Sequence, residues 1–359
     1  MELFAIRPEI RFGPEALAAL EELAGRRVLI VTDEFLAHKS GLLEGVKARL
    51  KGCEIRVFDQ VRPDPSLRLV AQGVHVLRAF GPDAVLAFGG GSPMDCAKAM
   101  RHFAGGDPPP ELWCIPTTAG TGSEVTSFAV LTDADAGVKY PLVDDALLPD
   151  RAVLDPSLLS GVPPAVTADT GMDVLTHAAE GCVARKATPF SDAMGEKAFS
   201  MAWRSLSEAH AGDSAAKGEM LLASCLAGIS FNAAGLGICH ALAHALGGRY
   251  HIPHGRLNAM LLPHVIAFNS ADKAAADEYA RLAGLCGLAK NPRALMGGVR
   301  RLRAGLGMPE KLTACGVEGQ TLLADLDSIA ETALADVCAP GNPRPAARED
   351  LKDILKELM

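Results

Sequence analysis

The chain has 359 residues, of which 49% are hydrophobic and 22% charged, with a formal net charge of −8. That length exceeds one ordinary hydrophobic core and predicts two domains, while the balance of apolar and charged residues excludes disordered and fibrous classes. Net acidity argues against nucleic acid or an anionic membrane surface as partner, since both recruit basic faces.

In chain order, the N-terminal MELFAIRPEIRFG lacks the charged start and apolar core of a signal peptide, and no later stretch reaches the roughly 20 apolar residues of a membrane span. Short apolar runs then alternate with helical stretches: RVLIVTD (27–33), EIRVFDQV (54–61), DAVLAFGGG (83–91), LWCIPTT (112–118) and SFAVLTD (127–133). Such runs read as strands buried on both faces of a parallel sheet. Between them, GVKARLKG and LRLVAQGVHVLRAFG have the apolar spacing of amphipathic crossover helices. The alternation predicts a doubly wound α/β domain over residues 1–158. Past LPDRAVLDPSLLSGVPP the chain is rich in Ala and Leu with helical periodicity and no strand-like run, which predicts an all-α domain over residues 159–359. The nine cysteines form no CxxC pair and several lie in apolar runs, so a reducing, cytoplasmic compartment is expected.

Two loops at strand ends have the chemistry of an anion cradle. Gly89, Gly90, Gly91 and Ser92 separate a strand from a helix start, where exposed N–H groups and the helix dipole favour a phosphate. A plain tight turn explains GGGS equally well, and the run is neither GxGxxG nor a P-loop. The second loop, PTTAGTGSEVT, carries the hydroxyls of Thr117, Thr118, Thr121 and Ser123. Ligands of open α/β sheets bind beyond the carboxyl ends of strands, so both loops fit one dinucleotide site. Asp33 ends another strand, where its carboxylate would accept from an adenosine ribose and repel a 2′-phosphate, favouring NAD over NADP; the alternative role is the N-cap of EFLAHK.

Histidines cluster further on. Five of the ten fall between positions 240 and 264, and His240 and His244 stand one helical turn apart on the same face. His254 follows after Gly247, Gly248 and Pro253 have broken the helix. Upstream, TGMDVLTHAAE holds a second i, i+4 pair, Asp173 and His177, in an otherwise apolar stretch. Imidazoles and a carboxylate suit Fe²⁺ or Zn²⁺ with a further position open to substrate, whereas a single histidine on an apolar face is usually a core residue. A Lewis acid there would ease hydride transfer from an alcohol to nicotinamide, and His244 or His251 would relay the proton.

At these motifs the chain resembles the iron-containing (group III) alcohol dehydrogenases along essentially its whole length. GGGSPMDCAKA is similar to the family's pyrophosphate loop, PTTAGTGSEVT to its second cofactor loop, and TGMDVLTHAAE and CHALAHALGGRYHIPHG to its two metal signatures. The resemblance implies metal ligands Asp173, His177, His240 and His254, with His244 beside the substrate, and adds Asp95 and Lys139 to the cofactor contacts. It also implies a dinucleotide domain followed by a helical metal-binding domain, as in dehydroquinate-synthase-like folds, with the active site in the cleft between them, and a homodimer. Within the family, DEFLAHKSGLL, GVKYPLVDDALLPD and GNPRPAAREDLKDILKELM are similar to members that reduce propionaldehyde to 1-propanol inside propanediol-degrading microcompartments. That likeness implies a small alcohol or aldehyde substrate and microcompartment enzymes or shell as partners, although no encapsulation helix precedes the first strand. The rival readings are a glycerol-type dehydrogenase, a dehydroquinate-synthase-like lyase, and a catalytically silent microcompartment component.

Overall fold

The computed structural model describes residues 4–133 and 138–359, apart from the side chains of Val138 and Lys139. The chain divides into two compact units, Met1–Val162 and Pro163–Met359.

The first unit runs β1 (Glu9–Phe12), β2 (Arg27–Asp33), α1 (Glu34–His38), α2 (Leu42–Arg49), β3 (Glu54–Val61), α3 (Leu67–Phe80), β4 (Ala84–Gly89), α4 (Gly91–Ala104), β5 (Glu111–Pro116), β6 (Phe128–Asp133), β7 (Val138–Val143) and β8 (Arg151–Leu154). Six of these strands form a parallel sheet in the order β1-β8-β5-β4-β2-β3. Val28 to Val31 and Ala84 to Phe88 are fully buried, as continuous apolar strands covered on both faces must be. Each Val, Leu, Ile or Phe among them contributes roughly 1.5–3 kcal/mol on burial. Val70, Leu77 and Phe80 of α3 and Met94, Ala97 and Met100 of α4 complete that core.

Two expectations need correction here. SFAVLTD is not a strand of the parallel sheet, because β6 pairs antiparallel with β7 in a separate two-stranded ribbon. RAVL and EIRF, to which the sequence reading assigns no strand, are β8, between β1 and β5, and the edge strand β1.

The second unit contains α5 (Pro164–Val183), α6 (Pro189–His210), α7 (Ser214–Ala234), α8 (Ile238–Tyr250), α9 (His254–Asn269), α10 (Lys273–Leu285), α11 (Pro292–Gly305), α12 (Gly319–Ala335) and α13 (Arg348–Lys356), with no strand among its described residues. Every residue of α5 from Gly171 to Val183 is buried. A helix covered all round is the centre of its unit, so whatever polar groups it carries there face other protein groups. No single helix among the described residues is long and apolar enough to cross a membrane; α7 and α8 pass only as a pair bent by 106°. All nine cysteines are free.

Candidate active site

The glycine loop and the hydroxyl loop stand against each other at the carboxyl ends of β4 and β5. A β-carbon on Gly91 would lie 2.8 Å from Thr121 Cγ2 and one on Gly90 3.1 Å from Thr118 Oγ1, so the close approach needs glycine. The N-cap of α4 is Gly90 with no side-chain cap, which leaves the helix's first N–H groups available to an anion. Asp95 and Ser123 are used to join the loops: Ser123 Oγ donates to Asp95 Oδ1 at 2.8 Å, and Asp95 Oδ2 accepts from Val130 N at 3.1 Å. Buried Lys98 donates to Ser123 Oγ, Thr126 O, Thr126 Oγ1 and Phe128 O at 2.8–3.2 Å. Thr117 is buried, whereas Ser92, Thr118 and Thr121 are partly exposed. The Lys139 side chain lies outside the described residues.

Asp33 caps α1, its Oδ1 accepting from Leu36 N at 2.9 Å, which is the alternative role the sequence left open. Beside it, a cavity of about 570 Å³ is lined by Glu34, Asp59, Arg62, Ser66 and Arg68.

In the helical unit, donor atoms of Asp173, His240 and His254 lie within 4.8 Å of one another. Asp173 Oδ1 is 3.7 Å from His240 Nε2 and 3.6 Å from His254 Nε2. Ligands held about 2.0–2.2 Å from a tetrahedral ion are themselves roughly 3.4 Å apart, so this spacing fits a cation. Asn258 Nδ2 points into the same centre, donating to Asp173 Oδ1 at 2.7 Å with His254 Nε2 at 3.2 Å and His240 Nε2 at 3.3 Å. His177 stands at the side of this group, its ring stacked on His240 at 4.4 Å and its Nδ1 4.0 Å from Asp173 Oδ2.

Burial alone would raise the Asp173 carboxyl, but His177, His254 and His240 outweigh it and hold the group below the usual carboxylate range. Desolvation keeps His254 well below its ordinary value, the neutral form that ligates. For His240, burial is overcome by hydrogen bonds to Asp173 and Glu180, which push it up to about 9.

His244 is not in that group. Its ring stacks on His254 at 5.0 Å, and its Nδ1 is 2.9 Å from Asp336 Oδ2. Burial of Asp336 is outweighed by the hydrogen bond and charge of His244, leaving the carboxyl at about 2 and therefore ionised. His251 is exposed and ends α8 in the left-handed conformation.

The model of the iron-containing alcohol dehydrogenases matches residues 8–156, and that of the Fe-containing alcohol dehydrogenase family, C-terminal, matches residues 167–359. The chain belongs to the iron-containing alcohol dehydrogenase family. It is 42% identical to the 1-propanol dehydrogenase PduQ of Salmonella typhimurium, with all of both chains covered. It is 38% identical to the NADPH-dependent butanol dehydrogenase of Clostridium saccharobutylicum, over 99% of this chain and 97% of that one. Among solved structures, the iron-containing alcohol dehydrogenase from Thermococcus thioreducens superposes with a TM-score of 0.92 at 32% identity, covering 98% of each chain. The fold is therefore that of iron-type alcohol dehydrogenases, and the chain is an oxidoreductase of that family.

For a member of this family the donor set fits a divalent transition ion, because an oxygen of one carboxylate and ring nitrogens of two imidazoles converge, with Asp173 and His240 buried and His254 partly exposed. Sequence reasoning missed four residues around it: Glu180, Asn258, Asp336 and Asn342. Glu180 was detectable, since Asp173, His177 and Glu180 fall at i, i+4 and i+7 of α5, one stripe of the helix. Asp336, 92 positions from His244, left no local signal.

Proposed function

We propose that the chain interconverts short primary alcohols and their aldehydes, 1-propanol and propionaldehyde among them, with NAD(H) as hydride partner and Fe²⁺ or Zn²⁺ held by Asp173, His177, His240 and His254. The observation that carries this reading is the convergence of buried Asp173 and His240 with partly exposed His254. A relative bearing the name 1-propanol dehydrogenase at 42% identity supports the substrate class. The position of Asp33 at the carboxyl end of β2 supports NAD, since a carboxylate there disfavours a 2′-phosphate.

When bound, the ion polarises the substrate oxygen and the nicotinamide carries the hydride. The chain's own residues do the rest. Asp336, ionised and fixed by Cys338 N at 2.8 Å, holds the Nδ1 proton of His244 and leaves Nε2 to move the proton between substrate and solvent. Gly90 and Gly91 at the open start of α4 receive the pyrophosphate, and Thr118 and Thr121 supply hydroxyls beside it.

The test is NADH-dependent reduction of C2 to C4 aldehydes by protein purified anaerobically, with metal analysis of the same sample. His254→Ala and Asp173→Ala are expected to lose metal and turnover together while circular dichroism stays that of a folded chain. Retained turnover in either variant overturns the assignment. A second reading, NADPH as cofactor, is favoured by the butanol dehydrogenase relative and by the use of Asp33 as a helix cap; kcat/KM for the two cofactors decides between them.

A further inference from the structure

The helix that carries His240 and His244 has no cap of its own. Its N-cap is Gly237, and a β-carbon there would lie 2.6 Å from Asn342 Oδ1 and 2.8 Å from Glu180 Oε1. The free N–H groups of its first turn are met from distant elements instead. Ile238 N donates to Asn342 Oδ1 at 3.3 Å, Cys239 N to Glu180 Oε1 at 2.7 Å, and His240 N to Glu180 Oε2 at 3.4 Å. Glu180 is 2% exposed. Its Oε2 is also 2.6 Å from His240 Nδ1.

One carboxylate thus sets both the start of α8 and the state of the imbedded imidazole. Both Glu180 oxygens already accept backbone N–H groups of α8, so toward them Nδ1 of His240 acts as a donor, and the ring's other nitrogen, Nε2, is the one turned to Asp173. Asn342, in the GNPRP segment, is itself held by a reciprocal pair of hydrogen bonds with Asn269 at 2.7 and 3.1 Å. We propose that Glu180 is a positioning residue for His240, capping α8 and fixing the ring's tautomer at once, with Asn342 as a second anchor that serves the helix alone. The inference rests on His240 being a metal ligand.

Glu180→Gln tests it in the full chain. Glutamine has one acceptor oxygen where both carboxylate oxygens are in use, so it satisfies Cys239 N or His240 Nδ1 but not both. Zinc alone is titrated into metal-free protein against a chromophoric chelator. Glu180→Gln is expected to weaken zinc binding about 10–100-fold, whereas Asn342→Ala lowers Tm and leaves zinc affinity unchanged. Equal weakening by both variants would reduce Glu180 to a helix cap and overturn the proposal. So would unchanged zinc affinity in Glu180→Gln while His240→Ala loses zinc, an outcome that spares the ligand reading. Unchanged affinity in His240→Ala removes the ligand reading itself. If Glu180→Gln does not fold, ¹⁵N–¹H spectra of zinc-loaded wild type decide: a proton on His240 Nδ1 supports the proposal, and one on Nε2 overturns it.

Discussion

Gly255 follows His254 at the start of α9, where that helix crosses α5. A β-carbon at this position would lie 1.9 Å from Asp169 O, 2.6 Å from Asp169 C and 3.2 Å from Asp173 Cβ. Backbone atoms cannot turn aside as a side chain can, so in Gly255→Ala the two helices must part until the shortest contact reaches roughly 3.4 Å, a displacement of about 1.5 Å. Overpacking of this kind costs about 1–3 kcal/mol of stability. The larger effect falls on the site, because His254 rides on α9 and Asp173 on α5. Misplacement of catalytic groups by 1 Å costs about 10²-fold in rate, so kcat should fall by at least about that factor and metal content should drop with it. Steady-state kinetics with metal analysis measures the effect on the site, and urea unfolding the loss of stability. Gly248→Ala is the control: it lies in α8 with nothing within 4 Å of the added carbon, and should leave kcat unchanged. Wild-type kcat and metal content in Gly255→Ala would show that the α5–α9 contact does not set the ligand geometry.

Glu124, in the second loop, is 1% exposed, and its Oε1 has no hydrogen-bond partner among the described residues. Burial pushes its carboxyl up to about 7, from 4.5 in the unfolded chain. The folded state therefore binds the extra proton, and stability falls as pH rises from about 4.5 to 7. Glu124→Gln removes that loss: relative to wild type it should gain about 3 kcal/mol between pH 4 and pH 9, and a difference that stays constant in urea unfolding at the two pH values would refute the reasoning. Asp33→Gly should shift the kcat/KM ratio toward NADP at a stability cost of only a few tenths of a kcal/mol for the lost cap; an unchanged ratio removes Asp33 from cofactor selection. Asp336→Asn should lower kcat about 10²-fold with metal content unchanged, and an unaltered kcat would take His244 out of proton transfer.

The strands read correctly from the sequence were those whose apolar run reports burial on both faces, such as RVLIVTD and DAVLAFGG. SFAVLTD has the same appearance, but its partner VKYPLV leaves Tyr140 and Val143 exposed and turns the pair into an antiparallel ribbon. Which strands pair is a non-local property that a run of Val and Leu does not encode. Four-residue RAVL carried too little pattern beside its flanking prolines to be seen as β8. At the site, Asp173, His177 and His240 stood out because polar groups interrupt apolar helices at fixed spacing, and His254 because it follows the Gly and Pro break within the histidine cluster. Asn342 and Asp336 did not, since each acts on a residue about a hundred positions away through the packing of α8.

The ammonium of Lys98 already has four oxygen partners, drawn from Ser123, Thr126 and Phe128, before any nucleotide arrives. The segment it grips is thus tied to α4 by hydrogen bonds that need no nucleotide, so less of an incoming dinucleotide's affinity is spent on ordering it. Loosening that grip should therefore register first as weaker nucleotide capture rather than as slower chemistry.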